Sequence, residues 1–415
     1  MKKFLLLTAL LIASRFSQAQ NGCDGIRYRT AIFSEVKVTE AIQYGSAVQL
    51  LDLAGPGYTP VLMNQKLYVD VYEPVGDDRT ERPLIIFAFG GAFIAGTRAD
   101  VKDLCMLYAK MGYVTASIDY RLSRELVTAG LKLDPAVAPK AVLKGAHDMK
   151  ASVRYFNSTI QNGNRFNISS EKIFVGGISA GAFCALHTAY LDKESEMPAE
   201  LAEYAAENGG IEGNSGNPGF SSKVAGVINF SGALGQATWL EAGDVPVVST
   251  HGTNDGVVPY GSDSVTILAI NYPVDGSSVI HERANEVGVK NAFYTYYGAG
   301  HAQESASAAY LDSGFTFSRD FMYELMCEKD ITFGVAENGV TGFSAYPNPA
   351  SAVLNLGGLH NGERVELYSS TAQLVYTEKA TSDQHHIQLT DLPKGLYSIR
   401  ISGANRSLSR NVIVD

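Results

Sequence analysis

The chain has 415 residues, of which 46% are hydrophobic and 18% charged, enough apolar material for a large buried core and too much for disorder. Its length suggests two or three domains, and its 41 glycines and 14 prolines follow no short period, which excludes a collagen-like chain. A net charge of −10 without any Lys- or Arg-rich run argues against nucleic acid as a partner, because a polyanion would be repelled.

The first element is a leader. Lys2 and Lys3 precede an almost wholly apolar run, Phe4 to Ala13, and Ser17-Gln18-Ala19 supplies small residues for cleavage. Residues 1–19 therefore read as a secretory signal peptide, too short to remain as a membrane span. No other stretch approaches 18 uninterrupted apolar residues, so the mature protein is expected to be exported, with no transmembrane segment. Cys23, Cys105, Cys184 and Cys327 survive the cleavage and allow three complete pairings, among which the sequence does not choose. No Cys-x-x-Cys spacing supports a zinc or redox site.

From about residue 60, strand-like runs alternate with helical ones. Lys66 to Glu73 has a period of two, and Pro83 to Phe89 is a buried run. Val101 to Met111 reads as a helix, and Tyr113 to Asp119 as the next strand. The series continues with Ile173 to Gly176, Val224 to Phe230, Val245 to Thr250 and Ala292 to Tyr297. β-branched runs with helices between them predict a doubly wound α/β domain with a mostly parallel sheet over residues 20–330. Residues 192–222, acidic and then Gly/Asn/Ser-rich, interrupt the rhythm and read as an inserted helix and long loop, expected to shape the pocket.

After Cys327 the texture changes. A polar linker over 331–342 leads to Tyr346-Pro-Asn-Pro349, and only short strands with turn signals follow. Examples are Val353 to Leu356, Val365 to Tyr368, His386 to Leu389 and Tyr397 to Ile401. Residues 343–415 are therefore expected to form a small all-β sandwich. With the Tyr346-Pro-Asn-Pro349 opening, the Leu392 to Arg400 segment and a strand closing the chain, this tail resembles the C-terminal sorting domain of the type IX (Por) secretion system. The resemblance implies the type IX machinery as a partner and a secreted or outer-membrane-surface location.

Gly177-Ile178-Ser179-Ala180-Gly181 carries the strongest chemical signal. It follows a strand and precedes a helix-compatible run, Ala182 to Leu191, which is the context a nucleophile elbow requires. The sharp turn would hold Ser179 at the carboxyl edge of the sheet. A serine hydroxyl needs a base, and the fold demands the chain order Ser, acid, His. Of eight histidines, His147 and His187 fail that order or precede any acid. His251 opens the turn that holds the acid, and His360, His385 and His386 lie in the tail. Between His281, in a helical segment, and His301, in the glycine-rich loop after the strand Ala292 to Tyr297, the loop position favours His301. Asp255 follows the strand Val245 to Thr250 at the equivalent place and can orient the imidazole through Nδ1. Asp244 precedes its strand, and Asp263 and Asp275 lack one. Phe89-Gly90-Gly91-Ala92-Phe93 supplies flexible backbone after an early strand, so the N–H groups of Gly91 and Ala92, with that of Ala180, are expected to form an oxyanion hole. No Gly-Lys-Ser/Thr ending supports a phosphate loop.

Taken together, Gly-x-Ser-Ala-Gly, the Gly-Gly loop and His-Gly-x-x-Asp-x-x-Val-Pro resemble the α/β-hydrolase superfamily, and within it the carboxylesterase and lipase members. Phe89 and Ala92 depart from that family's usual His-Gly-Gly-Gly loop, though backbone donors survive the change. The resemblance implies a serine carboxylic-ester hydrolase acting through Ser179, Asp255, His301 and an acyl-enzyme, with no metal or organic cofactor. Acylated polysaccharide, lipid and polyester are all open as the ester substrate. A serine peptidase of the same fold and an inactive surface-binding protein are the alternatives, and acyl-ester, aminoacyl-anilide and fluorophosphonate probes separate them.

Overall fold

A computed structural model describes residues 25–51, 61–123, 136–267, 270–327, 344–346, 350–369, 373–403 and 407–414. The expected signal peptide over 1–19, the linker over 331–342, Cys23 and Pro347 to Pro349 lie outside the described residues. Contacts divide the chain into two units, Met1–Lys329 and Asp330–Asp415. Among the described residues no helix is long and apolar enough to cross a membrane.

The first unit is built on an eight-stranded sheet ordered β1-β2-β4-β3-β5-β6-β8-β11, beside a small antiparallel sheet ordered β7-β10-β9 (Ala233–Leu234, Ile270–Gly276, Ser262–Ile267). Its outer ribbon, β1 (Val36–Leu51), β2 (Val61–Pro74) and β4 (Val114–Ile118), is joined by antiparallel pairing. From β4 onward every neighbour is parallel: β3 (Arg82–Ala88), β5 (Ile168–Ile178), β6 (Val227–Phe230), β8 (Val247–Gly252) and β11 (Asn291–Tyr296). All seven residues of β3 are buried, as are all five of β4 and all six of β8. Such unbroken apolar runs are what a sheet covered on both faces requires, which is why they stood out without any alternation. Parallel pairing also means that β3, β5, β8 and β11 all end at one edge. The loops that leave it are the ones carrying Gly91, Ser179, Asp255 and His301.

Helices α1 (Lys102–Ala109), α2 (Val137–Gln161) and α3 (Ala180–Tyr190) pack against this sheet. The helix expected from Val101 begins instead as a 3₁₀ turn, Arg98–Val101, capped by Asp100 on the Thr97 N–H at 2.8 Å. Neither α2 nor the long strand β1 was anticipated. The 25 residues of α2 include buried Lys144, His147, Asp148, Lys150 and Arg154, so its inner face is far more polar than an amphipathic pattern leads one to expect. Most of these side chains have partners in or beside the 192–222 excursion. Lys150 Nζ donates to the carbonyls of Leu191 and Ile211, and Arg154 donates to those of Glu212 and Gly216. Asp148 accepts from Arg121 and from Ser215 Oγ at 2.6 Å. A loop whose carbonyls leave water needs such donors.

The smaller unit holds two antiparallel sheets. One is ordered β12-β13-β16 (Ser344–Tyr346, Val353–Gly357, Gln384–Gln388), and the other β15-β14-β17-β18 (Leu374–Lys379, Arg364–Ser369, Gly395–Ser402, Ser407–Val414). Burial alternates along β13 and β14, and Leu354, Leu356, Val365, Leu367, Ile387, Ile399 and Ile401 form one core. Cys327 is disulfide-bonded, while Cys105 and Cys184 are buried free thiols.

Candidate active site

Ser179 stands immediately after β5 and serves as N-cap of α3 with φ 53° and ψ −119°. A non-glycine residue in that region stores roughly 1–3 kcal/mol of strain. The turn is held shut from both sides: the Ser179 N–H donates to the Phe230 carbonyl at 2.8 Å, and the Ser179 carbonyl accepts from Ala182 and Phe183. Its glycines are required by contact. A Cβ at Gly177 would lie 2.2 Å from the Gly181 carbonyl carbon, and one at Gly181 would lie 2.1 Å from the Ala88 carbonyl oxygen. Strand and helix can therefore meet only with glycine at both places.

The loops after β8 and β11 are stitched together before any side chain reaches the serine. Thr253 and Asn254 donate their N–H groups to the carbonyls of Tyr296 and Ala299, and Gly298 donates to Thr253 Oγ1. Within this frame His301 Nε2 lies 2.8 Å from Ser179 Oγ, and His301 Nδ1 lies 2.7 Å from Asp255 Oδ2. A carboxylate can only accept, so Nδ1 carries the ring proton and Nε2 offers its lone pair to the serine hydroxyl. The Asp255 side chain is fully buried and that of His301 is 18% exposed. Burial alone would raise the Asp255 carboxyl. Hydrogen bonds from His251 and His301, followed by that from the Val257 N–H, outweigh it and hold the group well below the usual carboxylate range.

Two residues that the sequence reading passed over support this arrangement. His251 is wholly buried at the end of β8, with Nε2 3.1 Å from Asp255 Oδ2. Glu304 is buried beside the His301 loop, where its carboxyl accepts from Thr250 Oγ1 and burial pushes its pKa up. His251 is the first residue of the His-Gly-x-x-Asp motif, and that adjacency was the available signal. Glu304 has no comparable signature. His281, weighed against His301, is buried in helix α4 (Ser277–Val287), bonded to Asn291 and stacked on Phe293, away from Ser179. Asp244 accepts from the Glu241 N–H, and Asp275 from Ala237 and Ser262.

The Gly90–Phe93 loop approaches from the end of β3. Gly91 has φ 124°, Ala92 φ 51° and Phe93 φ 61°, and the Gly91 carbonyl accepts from Ile94 and Ala95. Among the described residues the N–H groups of Gly91, Ala92 and Ala180 donate to no other protein group. Two cavities meet at Ser179. The wider, of about 270 Å³, is lined by Gly90, Gly91, Asp100, Val101, His301, Ala302 and Ser305. The narrower, of about 40 Å³, is lined by Ala92, Phe93, Val142, Ala180, Phe183, Val258, Val265 and Tyr272, among others. Contrary to expectation, no residue of 192–222 borders either one. That excursion is bound to α2 instead, for the reason given above.

Residues 69–234 match the BD-FAE family, and residues 344–415 match the secretion system C-terminal sorting domain. The larger unit is therefore similar to the BD-FAE family over that stretch, and the tail to a secretion sorting domain. No curated protein matches. Similar solved structures include Thermogutta terrifontis esterase 2 phosphorylated by paraoxon, at 20% identity and a TM-score of 0.47, covering 68% of this chain and 95% of that one. Its apo form has 19% identity and a TM-score of 0.47, over 68% and 96% of the two chains. The propionate-bound form of this Planctomycetes esterase has 20% identity and a TM-score of 0.45, over 71% and 97%. The match over residues 344–415 indicates export to the cell surface or beyond.

Proposed function

We propose that this protein is an exported serine esterase in which Ser179, Asp255 and His301 form the catalytic triad and short acyl groups are transferred to water. One observation carries the reading: a single line of hydrogen bonds, at 2.8 and 2.7 Å, runs from the serine hydroxyl through the imidazole to a buried carboxylate. His301 Nε2 takes the hydroxyl proton as Ser179 Oγ bonds to the ester carbon. The resulting oxyanion is held by the N–H groups of Gly91, Ala92 and Ala180, where one donor is worth about 3 kcal/mol in the transition state. Asp255 stabilises the imidazolium without taking its proton. Collapse of the tetrahedral intermediate breaks the bond to the alcohol oxygen, which receives the proton from His301. Water, deprotonated by the same nitrogen, then attacks the acyl-enzyme and releases acid and Ser179.

The unequal cavities support a small acyl group. A cavity admits one water molecule with about 10–15 Å³ of such space. The 40 Å³ apolar recess therefore suits an acetyl or propionyl group, while the wide side, with Asp100 and Ser305, suits a hydroxyl-bearing alcohol. A p-nitrophenyl panel tests this: acetate is expected to be turned over fastest and palmitate at least tenfold slower. A fluorophosphonate is expected to label the wild type and not Ser179→Ala. Labelling that persists in Ser179→Ala refutes the assignment of the nucleophile.

A further inference from the structure

Asp255 is shared. Its Oδ2 accepts from His301 Nδ1 at 2.7 Å and from His251 Nε2 at 3.1 Å, while its Oδ1 accepts from the Val257 and Val258 N–H groups at 2.9 Å each. His251 has no access to solvent. Its Nε2 also faces the Val258 carbonyl at 3.2 Å. Both groups facing Nε2 can only accept, so Nε2 must carry a proton. At the other end of the ring, Nδ1 lies 2.8 Å from Ser277 Oγ. That hydroxyl already receives a hydrogen bond from Asn229 Nδ2 at 3.0 Å, and Asn229 is itself fixed by Ser249 and the Gly232 N–H. Two acceptors compete for the Ser277 proton, Nδ1 at 2.8 Å and the Gly232 carbonyl at 3.4 Å, and the shorter contact gives it to Nδ1. Hydroxyl donating to Nδ1 and Nε2–H donating to Asp255 is a self-consistent, neutral arrangement running from Asn229 to the carboxylate.

We propose that His251 is a positioning residue of this site: its Nε2–H fixes the rotation of the Asp255 carboxylate and draws negative charge away from the face that His301 reads. The proposal rests on the triad reading above and goes beyond it, because it assigns the triad acid a second imidazole that touches neither the nucleophile nor the cavities. Two other groups lie near His251. Tyr260 presents its ring edge-on, with centroids 5.8 Å apart, and the Glu304 carboxyl is engaged by Thr250. A positively charged His251 would oppose the imidazolium that must form on His301 across the same oxygen. A neutral donor orients the carboxylate at far smaller electrostatic cost.

The proposal makes separate demands on the full-length protein. ¹⁵N-histidine NMR of the wild type is expected to show His251 protonated on Nε2 and unprotonated on Nδ1. A Nδ1–H tautomer overturns the proposal whether or not the protein hydrolyses anything. With p-nitrophenyl acetate, His251→Phe is expected to lower kcat by about 10- to 100-fold through loss of alignment, with KM within about twofold. With Asp255 charge returned to His301, the acidic limb of the kcat/KM profile should move up by roughly half a pH unit, which a loss of packing alone would not produce. His251→Gln, whose amide N–H sits near the original Nε2, is expected to restore most of kcat and the original limb. If His251→Phe does not fold, His251→Asn takes its place, since its shorter amide stops short of Asp255. A folded, donor-less variant with unchanged kcat and limb overturns the proposal. An inert wild type that resists fluorophosphonate instead overturns the triad reading, and the tautomer still decides whether His251 donates to Asp255.

Discussion

The two units solve opposite problems. In the hydrolase unit, β3 and β8 are buried along their whole length, and the backbone is bent into left-handed conformations where chain leaves the sheet, at Ala92, Phe93, Ser179 and Ala302. In the sorting tail, β13 and β14 alternate buried and half-exposed residues, and the left-handed positions among its described residues are glycines. A parallel sheet gathers the ends of distant segments along one edge, where loops can be strained and filled with polar groups. An antiparallel sandwich joins neighbours by short turns and gathers nothing. The difference explains why three distant side chains meet in one unit, while the tail presents strands and a core.

The largest expected effect breaks the comparison at its centre. Ser179→Ala should lower kcat by at least 10⁴-fold in ester hydrolysis while the unfolding temperature changes little. Next comes acid stability, which should belong to the larger unit. His147, His187 and His281 are buried, and each donates one ring proton to a carbonyl oxygen while its other nitrogen has no partner. Burial lowers their pKa values to about 3, 4 and 4. These values lie below the unfolded value of 6.5, so the unfolded chain binds more protons as the pH falls. The stability is complete above pH 6.5 and is lost progressively below it. At pH 5 each histidine should cost about 2 kcal/mol, seen as a falling urea midpoint that His281→Asn partly flattens.

Glycine substitutions sharpen the contrast further. Gly181→Ala, with its Cβ 2.1 Å from the Ala88 oxygen, should destabilise the hydrolase unit by at least about 3 kcal/mol. Gly362→Ala has open space and only its left-handed φ of 88° to resist it, so about 1 kcal/mol is expected in thermal unfolding of the tail. The smallest effect is the cleanest. Removing residues 343–415 should leave kcat/KM for p-nitrophenyl acetate within about twofold while abolishing export in a host with type IX secretion. A large loss of hydrolysis would mean the tail completes the site.

Much of this was legible beforehand because the controlling patterns are local. Buried strands read as unbroken β-branched runs, and the turn around Ser179 is written in two glycines that contact alone demands. His301 and Asp255 followed from chain order and from standing just past a strand. What escaped notice depends on distant partners. The inner face of α2 looks like a solvated one until Leu191, Ile211 and Glu212 supply carbonyls for its cations. His251 looked like the start of a turn because nothing local reveals that Ser277, 26 residues on, would fix its tautomer. The pocket was misplaced for the same reason: a glycine-rich excursion resembles a cover until the helix beneath it is known.

That fastening has a kinetic meaning. Many hydrolases of oily substrates keep a hinged flap that opens only on meeting a droplet. Here the excursion over 192–222, which the sequence placed at the pocket, is riveted down by Lys150, Arg154 and Asp148, and swinging it away would strand their charges. Hydrolysis should therefore owe nothing to this segment's release at an oil–water boundary.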